Sequence, residues 1–458
     1  MTNLLILMAD EMRRDGLSAY GGPIETPALD ALAARGAVFE AAYTPSPMCV
    51  PARAAIATGL PIHATGHWDS AAPYDGAPRS WMQALTAAGV ETASIGKLHF
   101  RRVGCSGFAR EIRPMHVLDG LGWTLGLLRD GSTRYDTSEL AAEVGYGWTE
   151  TTRYDASVTE AAWAWLAEPR SGPWAVFVSY VSPHYPLIAP PDYADLIDPQ
   201  TLAPPIPGRL DHPEIARLLH FFDYDRHFQD EAGAKARAAY FALCRFIDDQ
   251  VAAVLETLAA TGQAEETMVV FCSDHGEMLG DHGFWTKQVM YEGSVGVPLI
   301  AAGPGIKPRR VATPASLLDL YPTALAVAGL PPDDRPGAPL MALAAAPDDP
   351  DRTVISEYHD GGSSTGAFMI RWDRWKYVHY AGERPQLFDR IADPEERKDL
   401  GLAHPAADEG LHRLRVLCDP EAISAAAFAD QAARIAALGG PEACRARSFG
   451  HTPIPVSS

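Results

Sequence analysis

Four separated segments of the chain each put charged or imidazole groups directly after a short apolar run. Asp10 and Glu11 follow residues 4–9, Lys97 and His99 follow 90–95, His184 follows 174–181, and Asp274 and His275 follow 268–272. If those runs are parallel strands of one sheet, their carboxyl ends share an edge, which is where open α/β sheets collect ligands. Any one of these residues alone reads more simply as a polar loop residue after a strand; agreement among four segments reverses that reading. Asp10 and Asp274 offer hard oxygen donors and His275 a nitrogen. That set suits a divalent cation, Ca²⁺, Mg²⁺ or Mn²⁺, over structural zinc. Glu11 either joins the set or points away. By themselves, Asp274, His275 and Gly276 would also serve as a tight turn with a helix cap.

A second constellation is Cys49-x-Pro51-x-Arg53, running on to Thr58 and Gly59. It places a cysteine at a helix start, proline in the first turn and arginine about one turn on. Backbone N–H groups and the helix dipole favour an anion there, and Arg53 adds a planar donor fork. The segment therefore reads either as an oxyanion site with a nucleophile at its mouth or as a buried structural cysteine near an N-cap. Local physics leaves the two readings even.

The elements that must position these groups follow from the pattern of the chain. Short apolar runs alternate with longer helical stretches through the first 330 residues, and 297–302 is a further strand candidate. This is the signature of an α/β fold with a large, mostly parallel sheet sandwiched by helices. Helices are expected at 27–35, with Thr26 as N-cap and proline at the first position, and at 234–260. Residues 330–352 are rich in Pro, Asp and Ala and read as a linker or surface loop. Beyond them, runs at 353–358, 367–371, 375–380 and 387–389 predict a small antiparallel annex, followed by a helix near 423–438. The expected organisation is a catalytic unit over 1–340 and a small C-terminal subdomain over 341–458. Two long stretches without clear periodicity, 104–154 and 186–208, are candidates for functional loops.

Composition bounds the partners. With 38 Lys and Arg against 58 Asp and Glu, the 458-residue chain carries a net charge of −20, which argues against nucleic acid as a partner. Six scattered cysteines without a CxxC pair give neither a disulfide framework nor a zinc ribbon. The apolar run near the N-terminus is too short for a signal peptide, and no run of about 20 apolar residues suggests a membrane span. A cytoplasmic protein with no membrane partner is expected.

Taken together, the motifs resemble those of the type I sulfatases of the alkaline phosphatase superfamily. Cys49-x-Pro51-x-Arg53 with Thr58 and Gly59 is similar to the core signature, and the run Asn3 to Asp10 to the opening strand. Gly96-Lys97-Leu98-His99 resembles the Gly-Lys-x-His segment, and Ser273-Asp274-His275-Gly276 the second metal segment. Asp393, Pro394 and Glu395, with Asp399 and Leu400, resemble the C-terminal ending. The likeness spans roughly residues 3–402 in the same order, and Gly283-Phe284-Trp285-Thr286-Lys287 looks closest to choline-sulfatase-like members.

The resemblance implies that Cys49 is oxidised to formylglycine (3-oxoalanine) by a formylglycine-generating enzyme. It implies that Asp10, Asp274, His275 and the modified Cys49 hold one divalent cation. Attack by the aldehyde hydrate on sulfur would leave a sulfated hemiacetal, from which the second hydroxyl expels sulfate. In that scheme His99 serves the base step, His184 and Lys287 contact the sulfate or protonate the leaving oxygen, and Arg53 and Lys97 orient the modified residue and neutralise charge. The substrate would be a small anionic sulfate ester, alkyl or aryl in preference to choline sulfate, with room for a homo-oligomer. Glu11 stands where many members have Asp, and His275 where many have Asn. The latter choice is shared with phosphonate monoester hydrolase-like members and keeps a phosphonate or phosphodiester substrate in play. Trp123, Tyr135, Tyr146 and Trp148 are candidates for the pocket wall, with His67, Trp68, Tyr185, His359 and Asp360 behind them.

Overall fold

Asn3–Asp10, buried along its whole length, is an interior strand of an eight-stranded sheet in the computed structural model, which describes residues 2–129, 133–208, 210–447, 452, 454 and 455. A strand apolar on both faces belongs inside a sheet covered on both sides by helices. Asn3–Asp10 pairs in parallel with Trp174–Pro183 on one side and Thr267–Ser273 on the other. Glu91–Lys97 joins in parallel beyond Trp174–Pro183. These four adjacent strands are those whose ends carry the acidic, basic and imidazole residues, so their carboxyl ends open on one edge. Leu299–Ala302 is the antiparallel member, and Ala37–Phe39 and Arg309–Val311 complete that flank.

The expected helices form, with one difference at the first cap. Pro27–Ala34 begins after Thr26, but Thr26 gives no side-chain cap; its hydroxyl is taken by Ser18. The Asp248 carboxylate, from helix Asp230–Ala260, accepts the N–H groups of Ala28 (3.1 Å) and Leu29 (2.8 Å) instead. The stretch 104–154 holds Arg110–Met115, a strand at the edge of the large sheet beside Glu91–Lys97. Its charges and proline suit an edge, where one side of the backbone lies unpaired, and they mask the strand in the sequence.

The C-terminal sheet is a four-stranded antiparallel meander of Val354–Tyr358, Ala367–Trp372, Trp375–Tyr380 and Gln386–Asp389. Helices Ala406–Leu417 and Pro420–Ala437 follow it. It joins the rest of the molecule through a buried ion network centred on Glu292, which meets Arg14 (2.6 Å), Lys376 (3.3 Å) and Arg390 (3.3 Å). Glu396 adds a bond from the Glu292 N–H (2.7 Å) and an ion pair with Lys376 (2.5 Å). Burial would raise the Glu292 carboxyl, and the cations around it outweigh burial and hold it well below the usual range. Among the described residues no helix is long and apolar enough to cross a membrane.

Candidate active site

Cys49 opens helix Cys49–Thr58, which ends at Gly59 in the left-handed region (φ 67°), where a Cβ would lie 2.6 Å from Tyr321. Proline in the first turn costs no helical hydrogen bond. One turn on, Arg53 is buried and spends its donors inside the protein. Its Nε donates to Asp274 Oδ2 (2.7 Å), Nη2 to Asp10 Oδ2 (3.1 Å), and Nη1 to Lys97 O (2.7 Å) and Ser179 Oγ (3.0 Å). Lys97 Nζ adds a second contact to Asp10 Oδ2 at 2.6 Å. Gly96 (φ 99°) permits this approach, since a Cβ there would stand 2.1 Å from Ser179 O.

Each aspartate thus has one oxygen committed to a cation of the chain and turns the other inward. Asp10 Oδ1 lies 3.7 Å from Cys49 Sγ and 3.8 Å from His275 Nε2, Asp274 Oδ1 lies 3.8 Å from His275 Nε2, and Sγ and Nε2 are 3.1 Å apart. His275 Nδ1 faces Gly276 O at 3.0 Å; a proton held there leaves the Nε2 lone pair for the cluster. Donors in the four groups lie within 4.8 Å of one another. Ligands held at about 2.4 Å from a cation at right angles stand about 3.4 Å apart, so the two carboxylates, one imidazole and the Cys49 side chain fit a single divalent ion.

The other groups surround this cluster. Glu11 (φ 65°) turns toward Lys287 Nζ (2.7 Å) and His184 Nε2 (3.2 Å). Asp10, Glu11 and His184 form a second acidic-imidazole group, and Lys287 already supplies its positive charge. Burial and the neighbouring Glu277 push Glu11 up to about 8 against the pull of Lys287. Burial, Lys97 and Arg53 hold His99 well below its ordinary value, which keeps that ring neutral, and burial with Lys287 and Lys97 lowers His184 against the pull of Asp10. Both His99 ring nitrogens are buried without a hydrogen-bond partner. Burial and the Asp10 charge push the Cys49 thiol up, keeping it protonated.

A pocket with about 900 Å³ of non-atom space, partly open to solvent, reaches this cluster. Its inner end holds Cys49, Lys97, His99, His184 and Lys287, and its wall is made by Met48, Met115, Trp123, Tyr135, Phe222 and Tyr224 among others. Trp123 packs edge-on to Tyr135 (5.5 Å) and stacks on Phe222 (6.3 Å). Of the aromatic candidates in the sequence, Trp123, Tyr135 and Tyr185 line the pocket. Trp148 packs on Phe246 and is 45% exposed, and Tyr146 is not among the lining residues. Trp68 packs against His359 away from the pocket. Asp360 stands behind the wall and accepts the N–H (2.8 Å) and hydroxyl (2.6 Å) of Ser70, a lining residue. Sequence reasoning missed Ser70, Phe222, Tyr224, Gln288 and Glu277. Only the doublet Phe221, Phe222 close to Tyr224 could have drawn attention.

The sulfatase family model matches residues 2–330 of the chain. This protein belongs to the sulfatase family. A second model, the C-terminal part of N-sulphoglucosamine sulphohydrolase, matches residues 280–414. The choline-sulfatase of Rhizobium meliloti (strain 1021) is 35% identical over 429 residues, covering 87% of this chain and 82% of that protein. The phosphonate monoester hydrolase of Agrobacterium radiobacter shares the fold with a TM-score of 0.74 at 24% identity, covering 93% and 96% of the two chains. A protein solved with its substrate D-glucosamine-2-N,6-O-disulfate superimposes with a TM-score of 0.74 at 21% identity, covering 92% and 99%. Sulfatase membership makes the chain a hydrolase of sulfuric esters.

Proposed function

We propose that this sulfatase hydrolyses a small alkyl or aryl sulfate ester with a formylglycine made from Cys49 and one divalent cation, Ca²⁺ first. The observation that carries the substrate class is the pocket lining. Its charged residues are Lys97 and Lys287, both at the inner end, and no described lining residue is acidic or arginine. The anionic sulfate therefore belongs inside, and the apolar and aromatic wall suits an uncharged leaving alcohol.

Asp10, Asp274 and His275 would hold the cation together with the modified residue, whose oxygen would stand where Sγ now is. Bound there, the cation would polarise sulfate oxygens and lower the pKa of a coordinated hydroxyl. Arg53 and Lys97 would balance and orient the two aspartates. Lys287 would receive a sulfate oxygen while held on Glu11, and His184, its Nδ1 anchored at Tyr185 O (3.0 Å), would present Nε2 toward the leaving oxygen. A neutral His99 with free ring nitrogens is suited to take a proton from the hydrate as sulfate departs. The catalytic unit is proposed over 1–340 and the subdomain over 341–458. Six unpaired cysteines support a reducing, cytoplasmic setting.

The aromatic wall of Trp123, Tyr135, Phe222 and Tyr224 also favours choline sulfate as a second reading, because ring faces attract a quaternary ammonium. Protein co-expressed with a formylglycine-generating enzyme, and shown by peptide mass to carry the aldehyde at Cys49, should be assayed on matched aryl sulfate, alkyl sulfate, choline sulfate, aryl phosphonate and phosphodiester esters. The highest kcat/KM is expected on an uncharged sulfate ester. A phosphonate or phosphodiester preferred by orders of magnitude would overturn the proposal, as would full activity in Cys49→Ala.

A further inference from the structure

Lys287 reaches the site from a loop with unusual backbone. Between Met278 and Gln288, four non-glycine residues adopt the left-handed region: Leu279 (φ 49°), His282 (56°), Thr286 (65°) and Gln288 (81°). Thr286 is β-branched, for which that region is a genuine outlier. Such residues persist only where surrounding contacts over-determine them, and they gather at functional sites. Thr286, Lys287 and Gln288 all line the pocket.

The contacts that hold this loop converge on Glu277, fully buried immediately before it. Glu277 Oε1 accepts the N–H of Leu279 (2.8 Å) and of Thr286 (2.6 Å), two of the left-handed residues, one at each end of the loop. Between them run Met278 N to Thr286 O (2.6 Å) and Gly280 N to Phe284 O (2.7 Å). Glu11 holds the far end of the side chain, Lys287 Nζ. One buried carboxyl, that of Glu277, therefore accepts from the backbone at both ends of the loop, and one of those amides belongs to the residue directly before Lys287.

We propose that Glu277 is the positioning residue for Lys287. Its Oε1 fixes both ends of the loop that delivers Lys287 to the pocket. This rests on the reading of Lys287 as a contact to the sulfate.

The test uses the aldehyde-bearing enzyme with its cation. Glu277→Ala should lower kcat/KM on the order of 10²-fold, as a displacement of about 1 Å at a reacting group does. Lys287→Ala should show a comparable loss, and the double variant should be no worse than the poorer single, because the two act as one unit. Glu277→Gln keeps the Oε1 acceptor for both amides, so it should recover most of the loss. Hydrogen exchange of the peptide spanning 278–288 gives a readout independent of turnover, faster in Glu277→Ala and near wild type in Glu277→Gln. Wild-type exchange and kcat/KM in Glu277→Ala would overturn the proposal, as would losses that multiply in the double variant or a glutamine variant as impaired as alanine. An unimpaired Lys287→Ala would instead refute the reading of Lys287 on which the proposal rests. Should Glu277→Ala not fold, Glu277→Asp, one methylene too short to hold both amides, replaces it with the same expectations.

Discussion

Replacing Arg53 with methionine tests how much the guanidinium contributes to holding two aspartates side by side in the interior. Arg53 is 3% exposed, and Asp10 and Asp274 are 0%. In Arg53→Met, Asp10 keeps Lys97 at 2.6 Å, but Asp274 loses its one ion pair with a lysine or arginine among the described residues. Removing one partner of a buried pair costs about 3–5 kcal/mol, since the remaining charge stays desolvated. That is a large share of the ~5–15 kcal/mol that keeps a domain folded. In urea unfolding followed by tryptophan fluorescence, an m value of about 3 kcal/mol/M converts this loss into a midpoint shift of about 1–2 M. Adding millimolar Ca²⁺ should return part of it, because a cation between the aspartates supplies the missing positive charge. Unfolding of Arg53→Met within about 1 kcal/mol of wild type, with no cation in the buffer, would refute the argument.

Other measurements test other parts of the site. Chelation of the wild-type enzyme should abolish turnover and lower the melting temperature together, with about 2.7 kcal/mol separating the free protein from one with cation at a hundredfold excess over Kd; a change in neither would discredit the metal cluster. His184→Ala should reduce kcat far more for alkyl sulfates than for activated aryl sulfates, and equal losses on both would remove its acid role. Away from the site, His63 Nδ1 meets the buried Glu357 at 2.8 Å. Burial alone would lower this imidazole, and the Glu357 hydrogen bond and charge outweigh burial and raise it above 6.5. A raised folded-state pKa gives stability that is full below the unfolded value and fades as pH climbs through the folded one. Wild type should therefore lose stability relative to His63→Gln across that upper window, and parallel pH curves would contradict the pairing.

The inner end of the pocket was largely legible because Asp10, Lys97, His99, His184, Asp274 and His275 follow strands, while Cys49 and Lys287 sit in short local motifs. Asp10, Lys97, His184 and Asp274 need only the rule that parallel strands share an edge, and the register of Ala9 against Ser273 and Gly96 against Ser179 obeys it. The wall was legible only in part. Trp123 and Phe222 are nearly 100 residues apart in the chain, and nothing local marks them as partners. Glu277 was invisible for another reason: an acidic residue in a glycine-rich loop looks solvated, and only tertiary burial makes it the anchor of strained backbone. Glu11 shows how a side chain's direction escapes sequence, because its positive φ turns it from the Asp10, Asp274 and His275 cluster to Lys287.

The ion network on Glu292 bears on how the molecule comes apart. Arg14 belongs to the segment after the first strand, and Lys376 and Arg390 to the C-terminal sheet, yet all three meet one half-buried carboxylate. Peeling the C-terminal sheet away would take two of the three cations from that carboxylate, leaving it Arg14 and the Tyr43 hydroxyl among the described residues, so partial detachment is costly. The chain should therefore melt in a single transition, seen alike by calorimetry and by fluorescence, and protease should find no stable fragment ending near residue 340. In that sense the C-terminal sheet acts as a clasp on the N-terminal segment that carries Asp10 and Glu11.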